Sequence, residues 1–92
     1  VKITEFEWDA NNLSHLFESG HSVDPLEIEE AFALDNLFEA KKVKDRHHAY
    51  AKTNDGRYLH IIFEYKGRGL ARPITAWDMP EKEKRKFKKI GR

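Results

Sequence analysis

An α+β fold, with two N-terminal helices and a C-terminal helix packed on a small, mainly antiparallel sheet, is predicted by two features of this 92-residue sequence. The apolar period changes from 3.6 residues in the first third to 2 from Asn36 onward. Two glycine-bearing turn signals, Asn54-Asp55-Gly56 and Gly67-Arg68-Gly69, punctuate the alternating part, which is the pattern of hairpins. A chain of 92 residues makes one domain, taken as 1–92, with one modest core.

The opening VKITEFEW, residues 1–8, has the β-branched and aromatic content of a strand. Asp9 is suited to cap a following helix whose apolar stripe is Leu13, Leu16 and Phe17, with Gly20 in the C′ position. Asp24, Pro25 and Glu27 form the start signal of a second helix, and Ile28, Ala31 and Phe32 are its buried stripe. LFEAKKVK, from Leu37, is a candidate edge strand and RHHAYAKT, from Arg46, a second candidate. The clearest strand is RYLHIIFEYK, residues 57–66. Leu59, Ile61, Phe63 and Tyr65 take one face; Tyr58, His60, Ile62 and Glu64 take the other. LARPITAW returns after the second turn, and Pro73 predicts an edge or a bulge because it lacks an N–H. Asp78 is expected to cap the last helix, anchored thinly by Phe87 and Ile90, after an exposed-looking Trp77-Asp78-Met79. The order read is β-α-α-β-β-β-α.

Charge is distributed unevenly. Residues 1–40 hold one base against ten acids, a balance of −9, and residues 41–92 hold sixteen bases against six acids, a balance of +10. Such asymmetry points to nucleic acid or a charged partner, or to two halves that neutralise each other on folding. One contiguous basic surface is expected from residues 57–66, 70–77 and the last helix, away from the acids at Glu27–Glu30. The chain has no cysteine, which excludes disulfide frameworks, Cys-ligated zinc and thiol nucleophiles and suits a reducing, cytoplasmic setting. No apolar run approaches the ~20 residues of a membrane helix.

The five histidines lack metal-ligand spacing, so no metal and no cofactor is expected; adjacent His47 and His48 point to opposite faces of their strand. Cations, histidines and carboxylates nevertheless suffice for RNA cleavage by the 2′-hydroxyl, which needs a base, an acid and fixed positive charge. Tyr50, Tyr58 and Trp77 are aromatic platforms for a splayed base.

Four stretches carry a resemblance: FEWDANNLSHLFESG, EIEEAF, DGRYLHIIFEYKGRG and ITAWDMPEKEKRKF. In this order, over nearly the whole chain, they resemble the BrnT family of bacterial toxins, ribonucleases of RelE-like fold. The matching positions are Trp8, Asp9, Gly20, Arg46, Gly56, Arg57, Arg72, Thr75 and Glu83. The resemblance implies a metal-independent endoribonuclease inhibited by a small antitoxin of ribbon-helix-helix type, with operator DNA bound only through that antitoxin. Catalysis is expected of the matching Arg72, Arg46 and Glu83, with Glu83 either as base or as the group that orients Arg46 or Arg72; His48, outside the matches, is an auxiliary proton carrier because an imidazole titrates near neutrality. RNA binding falls to Lys52, Arg57, Lys84, Arg85, Lys88, Lys89 and Trp77. The chain departs from the family where His-Gly reads Ser19-Gly20, where Trp77 replaces an arginine, and where Lys84 and Phe87 replace an arginine and a tyrosine. Lysine keeps the charge and loses the bidentate fork. A binding module of the same fold that has lost catalysis is therefore the alternative reading, and an unrelated small domain is a third.

Overall fold

A computed structural model describes residues 3–18, 22–33 and 37–89. The elements are β1 (Glu5–Phe6), α1 (Ala10–Glu18), α2 (Pro25–Ala33), β2 (Leu37–Val43), β3 (Arg46–Lys52), β4 (Tyr58–Gly67), β5 (Leu70–Asp78) and α3 (Glu81–Lys89). The fold is α+β, as predicted, but both candidate strands before the first hairpin form, so four strands stand between α2 and α3 where the sequence order had three. The five-stranded sheet runs β1-β5-β4-β3-β2. β2 to β5 form an antiparallel meander; β1 joins β5 in parallel, which makes the sheet mixed.

Alternation decides which layer covers which face. Ala49 and Ala51 on β3, Leu59, Ile61 and Phe63 on β4, and Ala71 and Ala76 on β5 are buried with Leu16, Val23, Ile28 and Ala31. Helices α1 and α2 supply that apolar layer, and small alanines on the flanking strands let them approach closely. Phe32 bridges Phe6 and Phe63 in edge-to-face contacts with centroids 5.2 Å apart. The opposite face carries Arg46, His48 and Tyr50 of β3 and Tyr58, His60, Ile62 and Glu64 of β4, and α3 crosses one end of it. Phe87, fully buried, anchors α3 against Tyr50 and Tyr58.

The local signals for the first two helices hold. Asp9 Oδ1 accepts from the Asn11 and Asn12 amides; at the second helix Asp24 Oδ1 accepts from Leu26 N while Glu27 Oε1 accepts from Asp24 N, a variant of the capping box. The Asn54-Gly56 hairpin closes through Gly56 N to Thr53 O and Thr53 N to Arg57 O, with Gly56 at φ 83°, a left-handed value that glycine adopts without strain. Pro73 sits at a bulge, where the β4–β5 register shifts between Ile62 and Phe63; β1 pairs with β5 only at Leu70 and Ala71.

Four expectations are corrected. Among the described residues of the opening stretch only Glu5–Phe6 is strand; Val1 and Lys2 lie outside them. Phe17 is 71% exposed, and the buried face of α1 is Asn12 and Leu16. Asp78 closes β5, and α3 begins later, with its first backbone bond from Lys84 N to Pro80 O. Met79 between them is buried, not exposed. Gly20, with Ser19 and His21, and Ile90 lie outside the described residues.

Asn12 explains the rotation of α1. Its Nδ2 donates to the Glu7 and Pro73 carbonyls, and its Oδ1 accepts from Asp9 N. One polar side chain thus ties the end of β1, the helix start and the β5 bulge. Asn12→Ala leaves buried backbone groups unpaired and is expected to cost about 1–3 kcal/mol in a urea titration, with the slope of the transition unchanged.

Candidate functional site

The polar face beside α3 carries a chain of three titratable side chains. Glu83, in the first turns of α3, is bonded to His60 Nδ1 at 2.9 Å, and His60 Nε2 is bonded to His48 Nδ1 at 2.9 Å. Strand register builds this chain: Tyr50 pairs with His60 and His48 with Ile62, so His48 and His60 are diagonal neighbours on one face. Trp77, opposite His60 on β5, stacks on its ring at 4.4 Å and 28°. Tyr50 meets the same ring edge-on at 5.3 Å. His60 is buried, clamped between rings and bonded at both nitrogens.

The bonding order fixes the tautomers. An ionised Glu83 accepts a proton-bearing bond from His60 Nδ1, so neutral His60 offers its Nε2 lone pair to His48 Nδ1–H. His48 is left with a lone pair on Nε2, which has no partner among the described residues. His48 lines an open depression of about 540 Å³ with Arg46, Ile62 and Glu64. The arrangement is a half-buried carboxylate and a buried imidazole that orient a second, accessible imidazole as a base.

Burial, first, then the repulsion a protonated His60 would exert, and then Lys41 lower the His48 pKa from its ordinary 6.5, against an upward pull from Glu83. The folded chain therefore keeps His48 neutral where the unfolded chain has begun to protonate it. Stability from this source is complete above pH 6.5 and is lost as the pH falls through the folded-state value. The urea midpoint of the wild type is expected to drop more steeply between about pH 7.5 and 5.5 than that of His48→Gln. Burial, and then Glu83, raise the Tyr50 pKa, so its phenol stays protonated.

The predicted catalytic residues divide. Glu83 and His48 are brought together, but through His60, one of the four histidines to which the sequence assigns no role; Glu83 orients this imidazole and neither arginine. Arg46 lies on the His48 face, two residues away, exposed and without an ion pair among the described residues. Arg72 shares a second depression with Arg46, Glu64 and Thr75, yet its Nη1 donates to Glu7 and Asp9 at 3.1 and 2.6 Å and its Nη2 to Asp9. This pairing raises the Arg72 pKa and lowers that of Asp9 to about 2.

The predicted RNA-binding residues divide too. Arg57 donates to Asp78, Glu27 and the Ser22 carbonyl, a clamp between the hairpin, β5 and α2 that raises its pKa through the Asp78 bonds first. The expected basic surface over residues 57–66 and 70–77 is thus partly neutralised by acids of the N-terminal half. Exposed bases remain on α3, at Lys66 of β4, and outside the expected surface at Lys41 and Lys42 of β2 and Arg46 of β3. Lys52, Lys84 and Lys88 converge on the Tyr58 ring at 5.3–5.5 Å, and Lys84 also reaches Glu81 at 3.6 Å. Arg85 and Lys89 line an α3 depression with Lys82 and Lys86. Trp77 packs on His60.

His47 points to the core face, stacked on Phe63 and bonded to Glu39. No group of three histidines and carboxylates among the described residues is placed to hold a metal ion, and no described helix is long and apolar enough to cross a membrane. Fold and site together define a small α+β domain with a carboxylate–imidazole–imidazole chain opening onto a cationic face. No family model, curated protein or solved structure matches the chain.

Proposed function

We propose that the chain is an endoribonuclease that needs no metal, with His48 as general base. The observation that carries this reading is the Glu83–His60–His48 chain ending in an accessible Nε2 beside unpaired cations. His48 Nε2 takes the 2′-hydroxyl proton as the 2′-oxygen bonds to phosphorus. The bond from phosphorus to the 5′-oxygen breaks, and the His48 imidazolium returns the proton to that oxygen. A 2′,3′-cyclic phosphate and a 5′-hydroxyl result, and the protein ends in its starting state. Arg46 and Lys41, which pairs with His48 across β2 and β3, supply positive charge for the phosphorane oxygens. The half-buried Glu83 and the buried His60 stabilise the imidazolium while it holds the proton.

The sequence resemblance extends this to a cytoplasmic toxin of RelE-like fold held by a small antitoxin, through which alone operator DNA is met. The exposed cations of α3 favour the second reading, a module that binds RNA or an antitoxin without cleaving. Purified protein on mixed-sequence RNA separates the two. Cleavage that is unchanged by EDTA and leaves cyclic phosphate ends supports the nuclease; intact RNA, or cleavage that EDTA stops, rejects it.

A further inference from the structure

An open groove of about 590 Å³ lies beside the histidine chain, between β2 and α3, lined by Phe38, Ala40, Lys41, Tyr50, Lys86 and Lys89. Its volume falls within the ~300–1,000 Å³ of pockets that hold small ligands. Phe38 and Tyr50 are cross-strand partners, so their rings share one face and form the floor. The shift in register between Glu39 and Lys41 turns β2 locally, which is the physical effect of a bulge and opens the strand beside α3. The three lysines have no carboxylate within 4 Å among the described residues. Tyr50 also touches His60, and Lys41 pairs with His48, so one end of the groove adjoins the base.

We infer that this groove is a nucleobase subsite for single-stranded RNA, in which a base beside the cleaved phosphate rests on Phe38 and Tyr50 and the flanking phosphates meet Lys41, Lys86 and Lys89. The occupant must combine a flat apolar face with anions a few bonds away, and a nucleotide does both. Base stacking on aromatic rings tolerates every base, whereas paired bases are withheld in a duplex, so the subsite selects unpaired RNA. The inference rests on the ribonuclease reading for its substrate, but binding tests it without cleavage.

The probe is a fluorescently labelled 2′-O-methyl oligoribonucleotide, which lacks the attacking hydroxyl, alongside the same backbone with abasic positions. The wild type is expected to bind the base-bearing probe about tenfold or more tightly than the abasic one. Phe38→Leu keeps an apolar side chain on the edge strand and removes the ring, and is expected to close most of that gap. Lys86→Gln with Lys89→Gln is expected to weaken both probes and flatten the salt dependence. Equal wild-type affinity for the two probes overturns the subsite, as does a gap that survives in a folded Phe38→Leu protein. An acidic helical peptide that displaces the RNA at equal or lower concentration assigns the groove to a protein partner instead. Cleavage of ordinary RNA is scored separately, so loss of the nuclease reading and loss of the subsite are distinguishable.

Discussion

His48→Ala is expected to lower the rate of RNA cleavage about a hundred- to ten-thousandfold, the usual contribution of a positioned general base. The protein should remain folded, because His48 is only partly buried at the open end of the chain. Glu83→Gln should lose less. It keeps a bond to His60 Nδ1 and removes the negative charge that stabilises the imidazolium, so the rate falls while the acidic limb of the pH profile moves down. That movement is the readout a purely structural glutamate does not give. Arg46→Ala should cost about a hundred- to a thousandfold, the cost of a fixed group aimed at developing charge. Arg72→Ala should chiefly lower stability, since its guanidinium is taken by Glu7 and Asp9. Cleavage assays on the four purified variants, with urea titrations beside them, check the set. If Arg72→Ala abolishes cleavage at full stability and His48→Ala cleaves normally, the base has been misplaced.

Phe87→Ala is expected to destabilise the domain by about 3–5 kcal/mol, a large share of the ~5–15 kcal/mol that holds an ordinary domain together. Phe87 is the buried residue of α3, and the rest of that helix is charged. Removing the ring leaves a cavity against Tyr50 and Tyr58 and takes away the apolar contact that seats the helix. The six lysines and arginines of α3 then favour its release by mutual repulsion. A urea titration followed by tryptophan fluorescence reads the loss, because Trp77 stacks on the imidazole that Glu83 holds. Phe87→Tyr tests the converse. It adds a hydroxyl at a fully buried position, so it should cost stability unless that group finds a partner.

Much of the fold was legible in the sequence because the signals are local. The capping box at Asp24–Glu27, the Asn54-Gly56 turn and the two faces of β4 each depend on residues within a few positions of one another, and all appear as read. The inference that His47 and His48 point apart needed only the pleat. Misreadings arose where a distant partner outbid a local preference. Asp78 looked like a helix cap, but Arg57 draws its carboxylate to the hairpin. Phe17 fits a helical stripe, yet Asn12 turns α1 by bonding to Pro73, sixty-one residues on.

The candidate site shows the same division. The sequence by itself determined that His48 and His60 lie on strands, that the last helix is cationic, that His48 and His47 face opposite ways, and that charge separates between the halves. A histidine on the polar face of the most regular strand was the available signal for His60. Only the tertiary structure decided that His60 joins Glu83 to His48, that Arg72 is taken by Glu7 and Asp9 and Arg57 by Asp78 and Glu27, and that Phe38 and Tyr50 floor a groove beside Lys86 and Lys89. The physical reason is register. Periodicity assigns a side chain to a face, whereas its neighbours across the sheet are set by hairpin length, by the bulges in β2 and β5, and by where Phe87 seats the last helix.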